Sequence, residues 1–318
     1  MSTSPDAETP LPTRAEALPT RVPQARAGGR HRRPEIPAIL EGAPPLVLAV
    51  PGPADADLDD VVREIALLAR AGRPGLDVRP VFLGAGATDL TPVLGPVGGA
   101  AEATPDEAEA GAEPADGAEE PADGEPLPEP VAEGVRNAVV VPLLIGPHPE
   151  AEARVRATVE AAEGRELTVT EALGPHPLLA EALHERLSEA GLARADRARL
   201  FTVVTAADGI ILATTGGPAA LQAADMTGVL LAARLALPVV TADLEVPGAV
   251  GDAATRLRQM GAERIALAPY VLGPDLDPDL IETAAAHAEV TASAPLGAHG
   301  ALGKLVLQAY LAAAGIQD

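Results

Sequence analysis

Pro142-Leu143-Leu144-Ile145-Gly146-Pro147 returns later in the chain as Pro269-Tyr270-Val271-Leu272-Gly273-Pro274. Each copy is an apolar run of strand length closed by a Gly-Pro turn. The echo extends outward from both. Leu173-Gly174-Pro175-His176 and Leu296-Gly297-Ala298-His299 each precede an amphipathic segment, and Leu46–Val50 with its Pro51-Gly52-Pro53 turn is mirrored by Gly209–Ala213 with Thr214-Thr215-Gly216-Gly217. Gly52 and Gly146 stand 94 residues apart, Gly216 and Gly273 only 57. The difference of 37 is close to the length of one acidic segment, so a single insertion explains the mismatch. Without it the chain reads as two halves of about 115–120 residues.

The elements between these landmarks alternate. Val61, Val62, Ile65 and Leu68 fall at helical spacing over 59–68. The pattern then predicts strands at 78–83 and 138–145, a helix near 150–162, a strand near 167–172 and a helix at 177–190. A βαβα alternation predicts an α/β fold, here two tandem repeats, each a small parallel sheet flanked by helices.

Charge separates the folded halves from the rest. The chain has 318 residues and a formal net charge of -23. Residues 101–130 contribute 11 Asp and Glu and no Lys or Arg, while residues 1–40 carry 6 Arg against 4 acids. The acidic stretch repeats Glu-Pro-Ala-Asp-Gly and holds one large aliphatic residue, Leu127, too little apolar area to offset chain entropy. The expected organisation is a disordered leader over 1–43, an N-terminal half over 44–192 with a disordered acidic insert at about 98–132, and a C-terminal half over 200–318. A tolerated surface insertion is the favoured reading of the insert, ahead of an acidic interaction tail or a metal-attracting arm, since long loops add little closure cost.

Composition excludes several classes of function. There is no cysteine, hence no disulfide, iron–sulfur cluster, thiolate zinc site or Cys nucleophile. An acidic protein repels phosphate backbones, so no nucleic-acid partner is expected. Pro34, Glu35 and Pro37 interrupt any signal-peptide core after Arg30-His31-Arg32-Arg33, and no apolar stretch is long enough for a membrane span; the expectation is a cytoplasmic protein. Thr214-Thr215-Gly216-Gly217 lacks the Gly-Lys-Ser/Thr of a phosphate-binding loop, and Gly84-Ala85-Gly86 lacks the third glycine of a dinucleotide fingerprint, so no nucleotide cofactor is indicated.

A parallel strand ending in a short glycine turn, a strand ending Pro-Leu-Leu-x-Gly-Pro and the Leu173-Gly174-Pro175-His176-Pro177-Leu178-Leu179 helix opening together resemble the class II chelatases, the sirohydrochlorin and cobalt chelatases of the CbiX/SirB type. Pro74–Leu83 fits the second strand of that family. The resemblance covers roughly 44–318 without the insert. It implies two α/β halves facing each other, as a monomer with pseudo-twofold halves or as a homodimer. Their cleft would hold a tetrapyrrole into which Co2+ or Fe2+ is inserted for siroheme or cobalamin synthesis. The family's first strand ends Gly-His-Gly-Ser, and here Pro51, and Thr215 in the second half, occupy the histidine slot. The second metal-binding histidine of the family corresponds by counting to Glu150, with His148 two residues before it, and to Asp277 in the second half, preceded by Asp275. A catalytically inactive relative that binds metal or tetrapyrrole, or serves as a regulatory partner, is the alternative the same departures imply.

Polar residues at strand C-termini are the candidates for chemistry. Metal insertion needs ligands that release the ion and a base that accepts pyrrole protons, which imidazole and carboxylate both supply near neutral pH. His148 and Glu150 are the expected catalytic pair, and His148, Glu150, Asp275 and Asp277 the expected metal set. Thr214, Thr215, Gly216 and Gly217 form a turn whose N–H groups suit an anion such as a tetrapyrrole carboxylate, with His176 and His299 as further binding residues. Each also has a structural reading: the histidines precede helices, Glu150 favours a helix dipole, Asp275 and Asp277 are placed to cap a helix, and the turn is an ordinary tight turn. His184 and His287 fall inside expected helices and read as surface or packing residues.

Overall fold

The computed structural model describes residues 43–84, 88–96, 135–193 and 207–316, all within the compact unit Pro37–Asp318. The expected leader up to residue 42 and the acidic insert lie outside the described residues. The first half runs β1 (Leu46–Pro51), α1 (Ala56–Gly72), β2 (Val78–Leu83), α2 (Thr91–Leu94), β3 (Asn137–Pro142), α3 (Pro149–Ala161), β4 (Glu166–Val169) and α4 (Pro177–Glu189). The second runs β5 (Gly209–Thr214), α5 (Gly217–Leu235), β6 (Val239–Asp243), α6 (Ala249–Gln259), β7 (Ile265–Pro269), α7 (Pro278–Ala288), β8 (Thr291–Ala292) and α8 (Gly300–Ala314). One sheet has the order β2-β1-β3-β4 and the other β6-β5-β7-β8. Every pair is parallel. The α/β fold and the duplication read from the sequence are therefore present as one topology used twice.

Register confirms the equivalences. Ala49 pairs with Pro142 and Ala213 with Pro269, so Pro51 and Thr215, each two residues further on, occupy the same place in their halves. The strands are shorter than periodicity suggested: β3 stops at Pro142 rather than 145, and β4 at Val169 rather than 172. Proline has no N–H to continue a ladder. Beyond it Leu143–Ile145 stay buried, but as a turn in which Leu143 N–H donates to Ala49 O and Leu144 O accepts from Leu173 N–H.

Side-chain alternation distributes each strand between two cores. Leu46, Leu48 and Val50 of β1 join Ile210 and Leu212 of β5 in one continuous core. Val47 and Ala49 face a separate cluster with Val155 of α3, and Ile211 and Ala213 face another with Ala253 and Leu257 of α6. The shared core is filled by α1, α4, α5 and α8. The final helices are exchanged: α4, of the first half, packs on α5 and β7, and α8, of the second, packs on α1 and β3. Close approach makes this possible. A Cβ at Gly303 in α8 would stand 2.4 Å from Leu68 Cβ and 3.1 Å from the Leu68 carbonyl carbon of α1. The Tyr310 hydroxyl, also on α8, donates to Pro44 O at 2.8 Å.

The stems of the insert are tied together. Val135 N–H donates to Leu94 O at 2.8 Å, and the Arg165 guanidinium donates to both Gly95 O and Val135 O. These bonds tie β3 to the segment that follows β2.

Two outcomes follow from this packing. Gly303→Ala is expected to lower stability by about 1–3 kcal/mol, the typical cost of an extra group in a filled core; an unchanged urea midpoint would contradict the seating of α8 on α1. Replacing residues 97–134 by a short Gly-Ser linker is expected to leave the far-ultraviolet circular dichroism unchanged. Adding Arg165→Ala to that shortened chain is expected to lower its melting temperature.

Candidate functional site

Ligands of open parallel sheets bind beyond the strand C-termini, where the strand order reverses. Here that means the turns after β1 and β3 in one half and after β5 and β7 in the other. The two sets meet. His148, after β3, is the N-cap of α3: its Nδ1 accepts from Ala151 N–H at 3.4 Å and its backbone N–H donates to Glu152 Oε1 at 3.1 Å. Its ring lies against the turn after β5, where a Cβ on Gly216 would stand 3.1 Å from His148 Cδ2 and 3.2 Å from Pro147 O. Gly216 has φ +102°, so both conformation and space require glycine there.

Asp275, after β7, lies within electrostatic range of His148. The residue is exposed, yet the protein around its carboxyl raises its pKa. That desolvation outweighs the hydrogen bonds from Gly273 N–H and its own N–H and the pull of the His148 charge, all of which favour the ionised form. The Gly273 bond measures 2.8 Å.

The remaining expected residues are placed as follows. Glu150 is exposed in the first turn of α3. Asp277 is the N-cap of α7 and accepts from Asp279 N–H at 3.0 Å. Counting from the Gly-Pro turns aligns Asp277 with Glu150. Pro149 opens α3 three residues past Gly146, however, while Pro278 opens α7 five past Gly273, so by helix starts Asp277 matches His148. His176 and His299 are the N-caps of α4 and α8, with Nδ1 accepting at 3.1 Å from Leu178 N–H and Ala301 N–H respectively. His299 Nε2 also meets Glu185 Oε2 at 2.8 Å, which ties α8 to α4. Thr214 is buried and donates to Thr215 O. Gly217 opens α5, and the Gly216 N–H expected to bind an external anion donates to the chain's own Glu245 Oε2 at 2.9 Å. Among the described residues no three His, Asp or Glu are gathered closely enough to hold a metal ion, so the expected four-residue metal set is not assembled. Of its members, His148 and Asp275 come within electrostatic range of each other.

Sequence reasoning missed Tyr270. Its buried hydroxyl accepts from Thr227 Oγ1 at 3.1 Å and donates to Ile145 O at 3.4 Å, fixing the turn that leads to His148 from the opposite half. Burial pushes its pKa up to about 12, against the opposing effect of the Thr227 bond. A signal was available: the register that aligns Pro142 with Pro269 aligns Leu143 with Tyr270, a hydroxyl where its copy has none. Gly174 packs on the same group, since a Cβ there would stand 2.6 Å from Tyr270 Oη and 2.4 Å from Ile145 O.

Two crevices flank this junction in equivalent positions. One, of about 770 Å³, lies between α3 and Val169–Ala172. The other, of about 800 Å³, lies between α7 and Ala292–Pro295 and is closed on its far side by Asp55–Asp57 of the first half. The loops that wall them match in detail: Thr170 N–H donates to Val140 O and Ser293 N–H to Leu267 O.

Residues 117–190, the span carrying His148 and His176, match the model of the CbiX family. The chain resembles CbiX. A solved structure described as CbiX, the terminal enzyme for biosynthesis of siroheme in denitrifying bacteria, superposes with a TM-score of 0.50 at 13% identity, covering 85% of this chain and 99% of that one. At that identity the match shows a CbiX-like fold, and it extends the likeness across both halves. A LacI-family transcription regulator from Clostridium acetobutylicum matches at a TM-score of 0.32 and 6% identity over 85% of this chain and 91% of its own, and carries no argument. No match is found among curated proteins. No described helix is long and apolar enough to cross a membrane. The CbiX likeness accounts for the class II chelatase motifs read from the sequence, while Pro51 and Thr215 remain in the histidine slot.

The environment of Tyr270 gives a measurable outcome. The chain has two tyrosines, and burial is the leading cause that raises both Tyr270 and Tyr310. Tyr270 is expected to ionise only near 12, and Tyr310 above the ordinary value of 10.0. Because the folded state holds this proton more tightly than the unfolded chain, stability falls as pH rises from 10 towards 12. Ionisation of both tyrosines in the native state with the ordinary midpoint of 10.0 would contradict the burial.

Proposed function

We propose that this chain handles a divalent metal ion and a tetrapyrrole at the junction of its halves, as a chelatase-like protein of the siroheme or cobalamin pathway with Co2+ or Fe2+ as the metal substrate. One observation carries the reading: the turns of the two halves meet beyond the strand C-termini, with the His148 ring against Gly216 and the Asp275 carboxyl within electrostatic range of His148, in a chain that resembles CbiX. Two protein groups leave most coordination positions of a metal open to macrocycle nitrogens. Neutral His148 with Nδ1 committed to Ala151 carries its proton on Nε2. Binding a metal at Nε2 moves that proton to Nδ1 and breaks the cap, so the ion is held at a cost of about 1 kcal/mol in helix capping and is readily released. Insertion frees two pyrrole protons, and His148, Asp275 and the exposed Glu150 are the bases at hand. His176 and His299 use Nδ1 in shorter caps, and we assign them to structure.

His148→Ala is expected to slow cobalt insertion into sirohydrochlorin by roughly 10²–10⁴-fold, the usual contribution of a general base, with circular dichroism unchanged. Full activity in that variant would overturn the assignment. Pro51 and Thr215 in the histidine slot favour a second reading, a binder without turnover. Stoichiometric metal uptake by the wild-type chain, abolished by His148→Ala and unaccompanied by insertion, would select it.

A further inference from the structure

The two crevices are equivalent in fold and both acidic, and they differ in that one of them holds a cation. The one in the second half is lined by Asp55, Asp57, Asp277 and Glu282 and by no Lys or Arg. Among the described residues that line the one in the first half there is a single cation, Arg156, set among Leu144, Val155, Val159 and Val169 and accompanied by Glu152, Glu160 and Glu171. Counted from the first residue of each helix, Arg156 of α3 stands where Ala285 stands in α7, so the charge belongs to one copy of the repeat alone. Arg156 is exposed, and no ion pair among the described residues engages it. It is a guanidinium without an ion pair at the mouth of a crevice with apolar walls and an acidic rim, in a chain whose net charge is -23.

The crevice adjoins His148. Pro147 lines it, and so does Glu152, whose Oε1 holds the His148 N–H. Its volume of about 770 Å³ suits a ligand of drug size or somewhat larger, and its mixture of apolar walls with a few polar groups is that of a small-molecule site.

We propose that Arg156 anchors a carboxylated macrocycle in this crevice by a charge-assisted, two-pronged hydrogen bond to one ligand carboxylate, with the ring face on Leu144, Val155 and Val159. This rests on the reading that the ligand is a tetrapyrrole. The guanidinium fork matches carboxylate geometry, which a lysine does not. Glu160 and Glu171 line the same crevice and repel further acid groups, so a polycarboxylate enters with one acid inward and the others turned to solvent. The second crevice has no cation and rejects the same ligand. Arg156 is thus a specificity-determining residue, and it selects the first-half crevice, next to His148, over its copy.

The test is fluorescence titration of the full chain with uroporphyrin, an octacarboxylate, and with its neutral octa-amide. Arg156→Glu is expected to weaken uroporphyrin binding by roughly 10–100-fold, the range for losing a hydrogen bond between charged groups. It is expected to leave octa-amide binding and metal uptake unchanged, and Arg156→Lys to fall between. Added salt is expected to narrow the gap in uroporphyrin affinity between wild type and Arg156→Glu, because screening weakens the one attraction the two proteins do not share. Equal uroporphyrin binding by wild type and Arg156→Glu would overturn the role of Arg156 while leaving the tetrapyrrole reading standing. Failure of the wild-type chain to bind either porphyrin would overturn that reading and the proposal with it.

Discussion

The contact between α8 and α1 organises the molecule. Gly303 allows the two helix backbones to approach until Leu68 fills the space a side chain would take. Because α8 belongs to the second half and α1 to the first, this contact places a helix from one repeat over the sheet of the other, and α4 returns the exchange by covering β7. Each sheet completes its inner core with the partner repeat's last helix. Neither half buries its own apolar face alone, and the two sheets are held with their strand C-termini meeting at one junction.

That junction is built from both repeats. His148 is capped within the first half, but its ring is backed by Gly216, its approach turn is held by Tyr270 and its charge is met by Asp275, all from the second. A shared core with few aromatics makes this exacting. Tyr270 is one of two tyrosines in the chain, and it is a buried one whose hydroxyl reaches across to Ile145 O.

Duplication fixed the architecture and small differences broke its symmetry. The connection from β7 to α7 is two residues longer than that from β3 to α3, which shifts the acids of the second half relative to His148. On one side of the pseudo-twofold the turns close directly, Gly216 against Pro147. On the other they stand apart around the second crevice, with Asp55–Asp57 opposite Asp277. One scaffold thereby offers two cavities with different charge.

The sequence by itself determined the topology and the order of the two halves, because strand alternation, Gly-Pro turns and helix openings are local patterns that repeat wherever the local physics repeats. It also placed His148, His176, His299 and Asp277 at helix starts, where their side chains do cap. It left the histidine caps indistinguishable from ligands, since a residue that accepts an N–H and one that accepts a metal look alike in one dimension. Only the tertiary structure decided which polar groups share space. It put Glu245 in the turn expected to bind an external anion, left Glu150 exposed, and set the His148 ring against Gly216 from across the chain. These are contacts between residues far apart in sequence, set by the exchange of α4 and α8 and by a two-residue difference in one loop. Their geometry is a property of how the halves dock, which no local pattern encodes.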